Sequence, residues 1–122
     1  FENFEYPVLS CIDAKKERFY ANLFNKDKYI LEDGDYEISK LIDSVKKIKK
    51  LIICGPDCEL LKNIIQEKNK KISIFTPKVQ INTCDSLFKI SEKNIADKIP
   101  PLKDFDGPVY LRASEAEIKL EK

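Results

Sequence analysis

The chain has 122 residues, of which 43% are hydrophobic and 35% charged, and its formal net charge is +1. This length predicts one domain with a single buried core, and no apolar run approaches the roughly 18 residues that suggest a membrane span. A net charge this small produces no overall field that attracts nucleic acid or an anionic membrane, so any such role must rest on a local patch.

Three strands joined by short turns are predicted at the start of the chain. Apolar and polar residues alternate over residues 8–13, 18–24 and 29–32, which is typical of strands. Residues 14–17 and 25–28 are short and polar, as in antiparallel hairpins. We therefore predict an antiparallel meander.

A helix is predicted next, because the apolar period changes after Asp33-Gly34-Asp35. One helical stripe collects Ile38, Leu41, Ile42, Val45 and Ile48. The C-terminal end of this helix, where the helix dipole favours cations, carries Lys46, Lys47, Lys49 and Lys50. A solvated helix end is the leading interpretation of these lysines, and a phosphate-binding role is the alternative.

Two strands then alternate with two more helices. The apolar run Leu51–Cys54 ends at Gly55-Pro56-Asp57, which is typical of a buried parallel strand. A helix follows with Leu60, Leu61, Ile64 and Ile65 inward, then a strand at residues 72–75 and a helix at residues 85–98. Residues 100–122 are predicted to form an extended tail with a short final helix, begun by a capping box of Ser114 and Glu117.

The order of these elements, βββαβαβ followed by a last helix, predicts an α/β fold. The sheet should be mixed and five-stranded, with helices on both faces. This is the ribonuclease-H-like arrangement, which also forms one lobe of the actin-like ATPase fold. We expect residues 1–122 to form a single lobe of this kind.

Three features of the composition bear on function. The sequence lacks methionine, and its opening is unlike a signal peptide, so we expect it to be a piece of a longer chain. It also lacks histidine, the commonest neutral-pH base and transition-metal ligand. Four cysteines sit in or beside apolar segments, which favours reduced thiols in the cytoplasm: Cys11, Cys54, Cys58 and Cys84.

Asp13 and Asp57 raise the question of a metal site. They follow the first and fourth strands, where ribonuclease-H-like nucleases hold two metal ions between carboxylates. A hard cation needs further oxygen ligands, and the inward stripe of the first helix offers none. Asp43 lies off that stripe, and Asp85 is placed to cap the last helix. We favour an Asp13 that ends a strand and hydrogen-bonds the turn, and keep a metal-dependent nuclease as the alternative.

The loop Cys54-Gly55-Pro56-Asp57-Cys58 offers two weaker hypotheses. Its cysteines form CxxxC rather than the CxxC of redox or zinc modules, although a lowered thiol pKa at Cys58 would suit a helix N-terminus. Backbone N–H groups here could face an anion, but Pro56 removes one donor. A tight turn with Asp57 as helix cap is the favoured interpretation.

Tyr110-Leu111-Arg112 combines an aromatic residue with one of only two arginines in the chain, the other being Arg18. The structural interpretation is a tail packed back on the domain, with Tyr110 or Leu111 inward and Arg112 in an ion pair. A partner contact is the alternative, because exposed Tyr and Arg are favoured interface anchors.

Two of these segments resemble motifs of the TsaB (YeaZ) family, whose members serve in tRNA threonylcarbamoyladenosine formation. Ile12-Asp13-Ala14, followed by Tyr20 and Phe24 at the same spacing and by Glu17 one position early, resembles the family's I-D-A-R-x-x-E-V-Y-x-A-x-F. Pro108 to Arg112, followed by Ala116-Glu117, resembles its closing P-x-Y-L-R-x-x-x-A-E. Lys15 replaces the family's arginine, Phe19 its valine, and Pro56-Asp57 the Asp-Gly of its G-D-G loop. The likeness covers nearly the whole chain and corresponds to the C-terminal half of the family.

The resemblance implies a non-catalytic, cytoplasmic partner of TsaD, the subunit that modifies adenosine 37 of tRNA, together with the ATPase TsaE. In the family the contact with TsaD forms mainly through the N-terminal lobe, and tRNA is reached only through the complex. We therefore expect no catalytic, cofactor-binding or metal-binding residue in this chain. A lobe without its twin should expose an apolar surface, so self-association is also expected. A protease or isopeptidase ranks low, because no serine or thiol has a histidine partner.

Overall fold

The computed structural model describes residues 5–77 and 83–113. These residues divide into two compact units. The first unit contains the sheet and residues 111–113, and the second contains residues 83–110. The predicted capping box at Ser114 and Glu117 lies outside the described residues.

The predicted order of elements is confirmed, and most boundaries fall within two residues of the predicted ones. The first unit contains strands β1 (Val8–Asp13), β2 (Arg18–Asn25) and β3 (Lys28–Glu37), helix α1 (Ile38–Ser44), strand β4 (Lys50–Cys54), helix α2 (Cys58–Lys68) and strand β5 (Ser73–Phe75). Helix α3 (Thr83–Ala96) belongs to the second unit.

The five strands form one mixed sheet in the order β3-β2-β1-β4-β5. Strand β1 pairs antiparallel with β2, which pairs antiparallel with β3. On its other side β1 pairs parallel with β4, and β4 pairs parallel with β5. The predicted α/β class and mixed five-stranded sheet are confirmed.

Strand β3 is longer than the predicted strand at residues 29–32, because it runs on through Asp33-Gly34-Asp35. The strand continues to Glu37 because Gly34 pairs with Ala21 and Asp35 with Tyr20. Asp and Gly are depleted in strands, so the composition of this segment gives no strand signal. Strand β3 lies at the edge of the sheet, and its long pairing with β2 overrides these local preferences.

The core lies between one face of the sheet and both helices of the first unit. Leu9, Phe19 and Ile53 represent its sheet side, and Leu41 of α1 and Leu61 of α2 its helix side. Within α2 the inward prediction for Leu60 was wrong, since its side chain is 47% exposed while Leu61 and Ile65 are fully buried. Helix α1 ends at Ser44, yet Val45 still reaches the core.

The opposite face of the sheet carries an apolar row that crosses all five strands. The pairing register aligns Tyr29, Phe24, Val8, Ile52 and Phe75 in that order. Val8 and Ile52 are buried, whereas Tyr29 and Phe75 at the two edges are more than half exposed. Helices α1 and α2 share the other face, so the prediction of helices on both faces rests on α3 and stays a prediction.

Helix α3 begins two residues earlier than predicted. Asp85 therefore lies within its first turn and is not the N-cap residue that the sequence suggested. No helix in the described ranges 5–77 and 83–113 combines the length and apolar character needed to cross a bilayer.

Gly55 fixes the junction between β4 and α2 against β1. Its φ of +116° lies in the region that side chains rarely adopt, and a Cβ atom there would overlap the carbonyl oxygen of Cys11. Only glycine allows the backbone of the β4–α2 loop to approach β1 so closely. This approach brings Asp57 beside the end of β1.

We expect Gly55→Ala to lower the free energy of unfolding by about 2–4 kcal/mol, because both the backbone conformation and the space exclude a side chain. Urea unfolding followed by circular dichroism measures this change. Gly107→Ala is the matched control, since a Cβ atom there meets nothing within 4 Å. Equal stability of the two variants would contradict the role given to Gly55.

Candidate functional site at the strand-end loops

The structure brings Asp13 and Asp57 together, although they lie 44 residues apart in the sequence. The backbone N–H of Asp13 donates to Oδ2 of Asp57 over 2.8 Å. The carboxylate of Asp13 itself accepts from the backbone N–H of Lys15 at 2.8 Å and from Lys15 Nζ at 3.3 Å. The prediction that Asp13 ends a strand and hydrogen-bonds the following turn is confirmed.

Asp57 occupies the N-cap position of α2 but does not cap it. Its side chain makes no hydrogen bond to the first turn of the helix and turns toward Asp13 instead. The predicted capping role was therefore wrong. The carboxylate ties the β4–α2 loop to β1, which is the same junction that Gly55 makes close.

The turn between β1 and β2 is strained. Lys15, Lys16 and Glu17 have φ values of 62°, 55° and 60°, so three consecutive side-chain-bearing residues are left-handed. Each such residue costs about 1–2 kcal/mol, which the surrounding hydrogen bonds must offset. Those bonds run from Ala14 N to Arg18 O at 3.0 Å and from Arg18 N to Lys15 O at 3.1 Å.

The carboxylate of Asp13 has a pKa below its ordinary value. The cause is the backbone N–H of Lys15, to which the ammonium of the same residue adds, and slight desolvation opposes both. Both oxygens of this carboxylate already accept hydrogen bonds. Within residues 5–77 and 83–113, no group of three or more His, Cys, Asp or Glu side chains is placed to hold a metal ion. The pair thus braces the loops, which is a structural use of two carboxylates.

Two cysteines near this junction, Cys11 and Cys58, have raised thiol pKa values. Burial raises the pKa of the Cys11 thiol to about 12, and the neighbouring Cys58, Cys54 and Asp57 add to the rise. Burial also raises the pKa of Cys58, so the lowered value suggested for a helix N-terminus was wrong. Cys54 is half-buried, with its Sγ 3.3 Å from the hydroxyl of Ser10 on the face opposite the helices. Cys11, Cys54 and Cys58 are free thiols.

A second cluster lies at the same end of the sheet and joins both arginines to one carboxylate. Arg18 Nε donates to Asp35 Oδ1 at 2.9 Å, and Arg112 donates from Nε to Oδ2 at 2.6 Å and from Nη2 to Oδ1 at 3.1 Å. Arg18 also donates to the Asp35 backbone carbonyl and to Glu37. We call Arg18, Asp35 and Arg112 the Asp35 cluster.

Arg112 makes two further contacts that fix the returning chain. Its Nη1 donates to the carbonyl oxygen of Ala14 at 2.9 Å, and its guanidinium lies 5.3 Å from the centre of the Tyr20 ring. The predicted ion pair of Arg112 is confirmed. The inward placement of Tyr110 or Leu111 was wrong, because these side chains are 82% and 39% exposed.

The two arginines lower the pKa of the Asp35 carboxyl. The hydrogen bond from Arg112 is the largest cause and that from Arg18 the next favourable one, while desolvation opposes them. The Asp35 side chain is only 11% exposed, so this charge is well shielded from water and depends on its partners.

Sequence reasoning identified Arg112 but missed Asp35. The predicted strand ended at residue 32, so no side chain of Asp33-Gly34-Asp35 was considered as an anchor. Its signal was indirect: the chain has only two arginines, and a strand running through residue 35 would place its carboxylate beside Tyr20 and Arg18. Asp43 lies exposed on α1, and Asp85 belongs to the second unit.

Comparison with known proteins gave no family assignment. A scan against models of protein families produced no match to this chain. A search of curated proteins produced none either.

We expect Asp35→Asn to lower the free energy of unfolding at neutral pH by about 1–2 kcal/mol, because charge-assisted hydrogen bonds to two arginines are lost. The lowered folded-state pKa stabilises the fold above the unfolded value of about 3.9, and this stabilisation is lost as pH falls through the folded pKa. The difference between wild type and Asp35→Asn should therefore shrink as the pH is lowered below about 4.

Urea unfolding at a series of pH values measures this difference. Asp27→Asn, in the exposed β2–β3 turn, is the control and should change stability by less than about 0.5 kcal/mol. If the difference in free energy of unfolding between wild type and Asp35→Asn stays constant down to the lowest pH, the role given to the Asp35 carboxylate is contradicted.

Proposed function

We propose that this chain is a non-catalytic lobe similar to the C-terminal half of TsaB proteins. Its role would be to support TsaD, with TsaE, in the cytoplasmic modification of adenosine 37 in tRNA. The fold would be ribonuclease-H-like, as in one lobe of an actin-like protein. Interaction, rather than chemistry, is the function that this site supports best.

The observation that carries the proposal is the contact between the two segments that resemble the family. Arg112 of the closing motif hydrogen-bonds Ala14 of the opening motif, 98 residues away, and lies over Tyr20 of the same motif. The two motifs thus form one structural unit centred on Asp35. Because the two motifs contact each other, their joint occurrence has a physical reason. This argues against two independent chance resemblances.

The topology also supports the proposal. A sheet with the order β3-β2-β1-β4-β5, in which only β2 runs against the other strands, suits a ribonuclease-H-like lobe. An enzyme of this arrangement would act at the strand-end loops, which are residues 14–17 after β1 and 55–57 after β4. Here the carboxylates of Asp13 and Asp57 accept hydrogen bonds that hold these loops in place. A lobe whose carboxylates are used in this way is suited to binding.

The test is threonylcarbamoylation of tRNA in a reconstituted mixture of TsaD, TsaE and the threonylcarbamoyl-adenylate supply. We expect modification to depend on the protein that carries this chain. Arg112→Ala should lower the modification rate because the docked motif is released, while Lys40→Gln on the exposed face of α1 should not. If the protein adds nothing to partners that are active with a known TsaB, the proposal fails.

A second candidate, a metal-dependent nuclease, is favoured by one observation: Asp13 and Asp57 meet at the carboxyl ends of β1 and β4. Two metal ions at such a site would activate water for phosphodiester cleavage. This candidate predicts nicking of RNA or DNA with Mg²⁺ or Mn²⁺ that Asp13→Asn and Asp57→Asn both abolish and Asp27→Asn does not. Cleavage that survives in the double variant would remove it.

A further inference from the structure

The fold gathers three lysine-rich turns at one end of the sheet, opposite the strand-end loops. Parallel strands β1, β4 and β5 all begin at this end, and the antiparallel β2 ends there. With the adjoining residues of the elements, the turns cover residues 26–28 from the β2–β3 turn into β3, 46–50 from the end of α1 into β4, and 68–71 from the end of α2 toward β5. We call residues 26–28, 46–50 and 68–71 the basic edge.

All nine lysines of the basic edge are exposed: Lys26, Lys28, Lys46, Lys47, Lys49, Lys50, Lys68, Lys70 and Lys71. Among residues 5–77, the carboxylates placed at this end by their position in the fold are Asp27 within the basic edge, Glu5 before β1, and Asp43 and Glu67 near the ends of α1 and α2. Nine cations against four anions leave a local excess of five positive charges. The chain as a whole has a formal net charge of only +1, so folding separates its charges.

The other end of the sheet has the opposite balance. Residues 13–18, 35–37 and 55–59 bring together six carboxylates against four cations when Arg112 is included. Both arginines of the chain are engaged there by Asp35. The cations of the basic edge are therefore all lysines, which act as point charges toward phosphate rather than as bidentate readers of bases.

The dimensions of the basic edge suit a strand of phosphates. Four interstrand spacings separate β3 from β5, a distance of about 19 Å. In a duplex each strand carries a charge every 3.4 Å or so along the helix axis, so this length spans about five or six phosphates of one strand, and those on the facing side of the helix can reach the edge. The excess of five positive charges is sufficient to pair with them.

Two tyrosines accompany these lysines. Lys50 Nζ lies 5.3 Å from the centre of the Tyr6 ring, just before β1 begins. Tyr29 follows Lys28 in β3 and is 59% exposed, with its ring edge-on to Phe24. The Tyr6 side chain is only partly exposed and its ring already faces Lys50, so Tyr29 is the exposed ring that offers single-stranded bases a surface on which to stack beside these cations.

The composition of the three turns disfavours an anionic membrane as the partner. Stable attachment to a bilayer normally combines basic residues with apolar side chains that enter the acyl region. The one aliphatic residue within the basic edge is Ile48, and it packs against the core. The turns therefore offer charge to a partner without a group for insertion.

We propose that the basic edge binds the phosphate backbone of RNA directly and without sequence preference. Charge complementarity and the exposed ring of Tyr29 carry this inference, while the choice of RNA over DNA rests on the proposed function. It extends that function, which gives the chain contact with tRNA only through the complex. The lysine residues would hold RNA while the Asp35 cluster, at the far end, keeps the lobe intact.

The test is fluorescence anisotropy of the whole chain with a labelled tRNA transcript and with a DNA strand of the same sequence. If about five phosphates are neutralised, the association constant should fall roughly 100-fold between about 50 and about 200 mM salt. The variant Lys47→Gln/Lys70→Gln removes one cation from each of two turns and should weaken binding about tenfold. The number of neutralised phosphates obtained from the salt dependence should fall by roughly one to two.

Lys40→Gln/Lys62→Gln is the matched control, because it removes the same charge from α1 and α2 and leaves the basic edge unchanged. It should alter binding less than twofold or so. Circular dichroism establishes that each variant is folded, and a second pair, Lys49→Glu/Lys71→Glu, should abolish binding.

Three results would overturn the proposal: no RNA binding at low salt, equal loss in the control pair, or tighter binding to phosphatidylserine vesicles than to RNA. Tighter binding to DNA than to RNA would overturn the choice of nucleic acid. Because TsaD is not in this assay, its outcome is independent of the reconstituted modification reaction. A chain that binds RNA and fails to support TsaD would refute the proposed function alone.

Discussion

The ion pair between Arg112 and Asp35 joins parts of the chain that sequence order keeps far apart. Two hydrogen bonds link the guanidinium to the carboxylate, and a third reaches the carbonyl of Ala14. The guanidinium also lies over the aromatic ring of Tyr20. The carboxylate is mostly shielded from water, so its charge requires these partners. The edge strand β3, the turn after β1 and residues 111–113 consequently depend on one another.

Around this cluster the molecule divides its charges between the two ends of the sheet. One end uses carboxylates and arginines internally: Asp57 holds β1, Asp13 holds a left-handed turn, and Asp35 holds both arginines. The other end leaves its lysines in water. Side chains that satisfy one another stabilise the lobe, whereas exposed like charges repel one another and gain energy from an anionic partner. One end therefore holds the fold together, and the other is the surface that we propose to bind RNA.

Much of this fold was predictable because it follows from local periodicity. The strand β1, the apolar run of β4 and the helix that ends near Lys68 carry strong patterns, and their order and type were correct. The errors fell where tertiary contacts override local preference. Pairing with β2 draws Gly34 and Asp35 into a strand, and a neighbouring backbone N–H draws Asp57 away from its helix. Likewise, no period in the sequence shows that Asp35 and Arg112 meet, because their contact depends on the register between β2 and β3.

A double-mutant cycle between Arg112→Ala and Asp35→Ala is the most direct test of the claim that this pair joins residues 111–113 to strand β3. Urea unfolding of the wild type, both single variants and the double variant gives the coupling free energy. We expect a coupling of about 1–3 kcal/mol, because the contact is bidentate and shielded. A coupling below about 0.5 kcal/mol would mean that the two residues act independently, and would contradict the account.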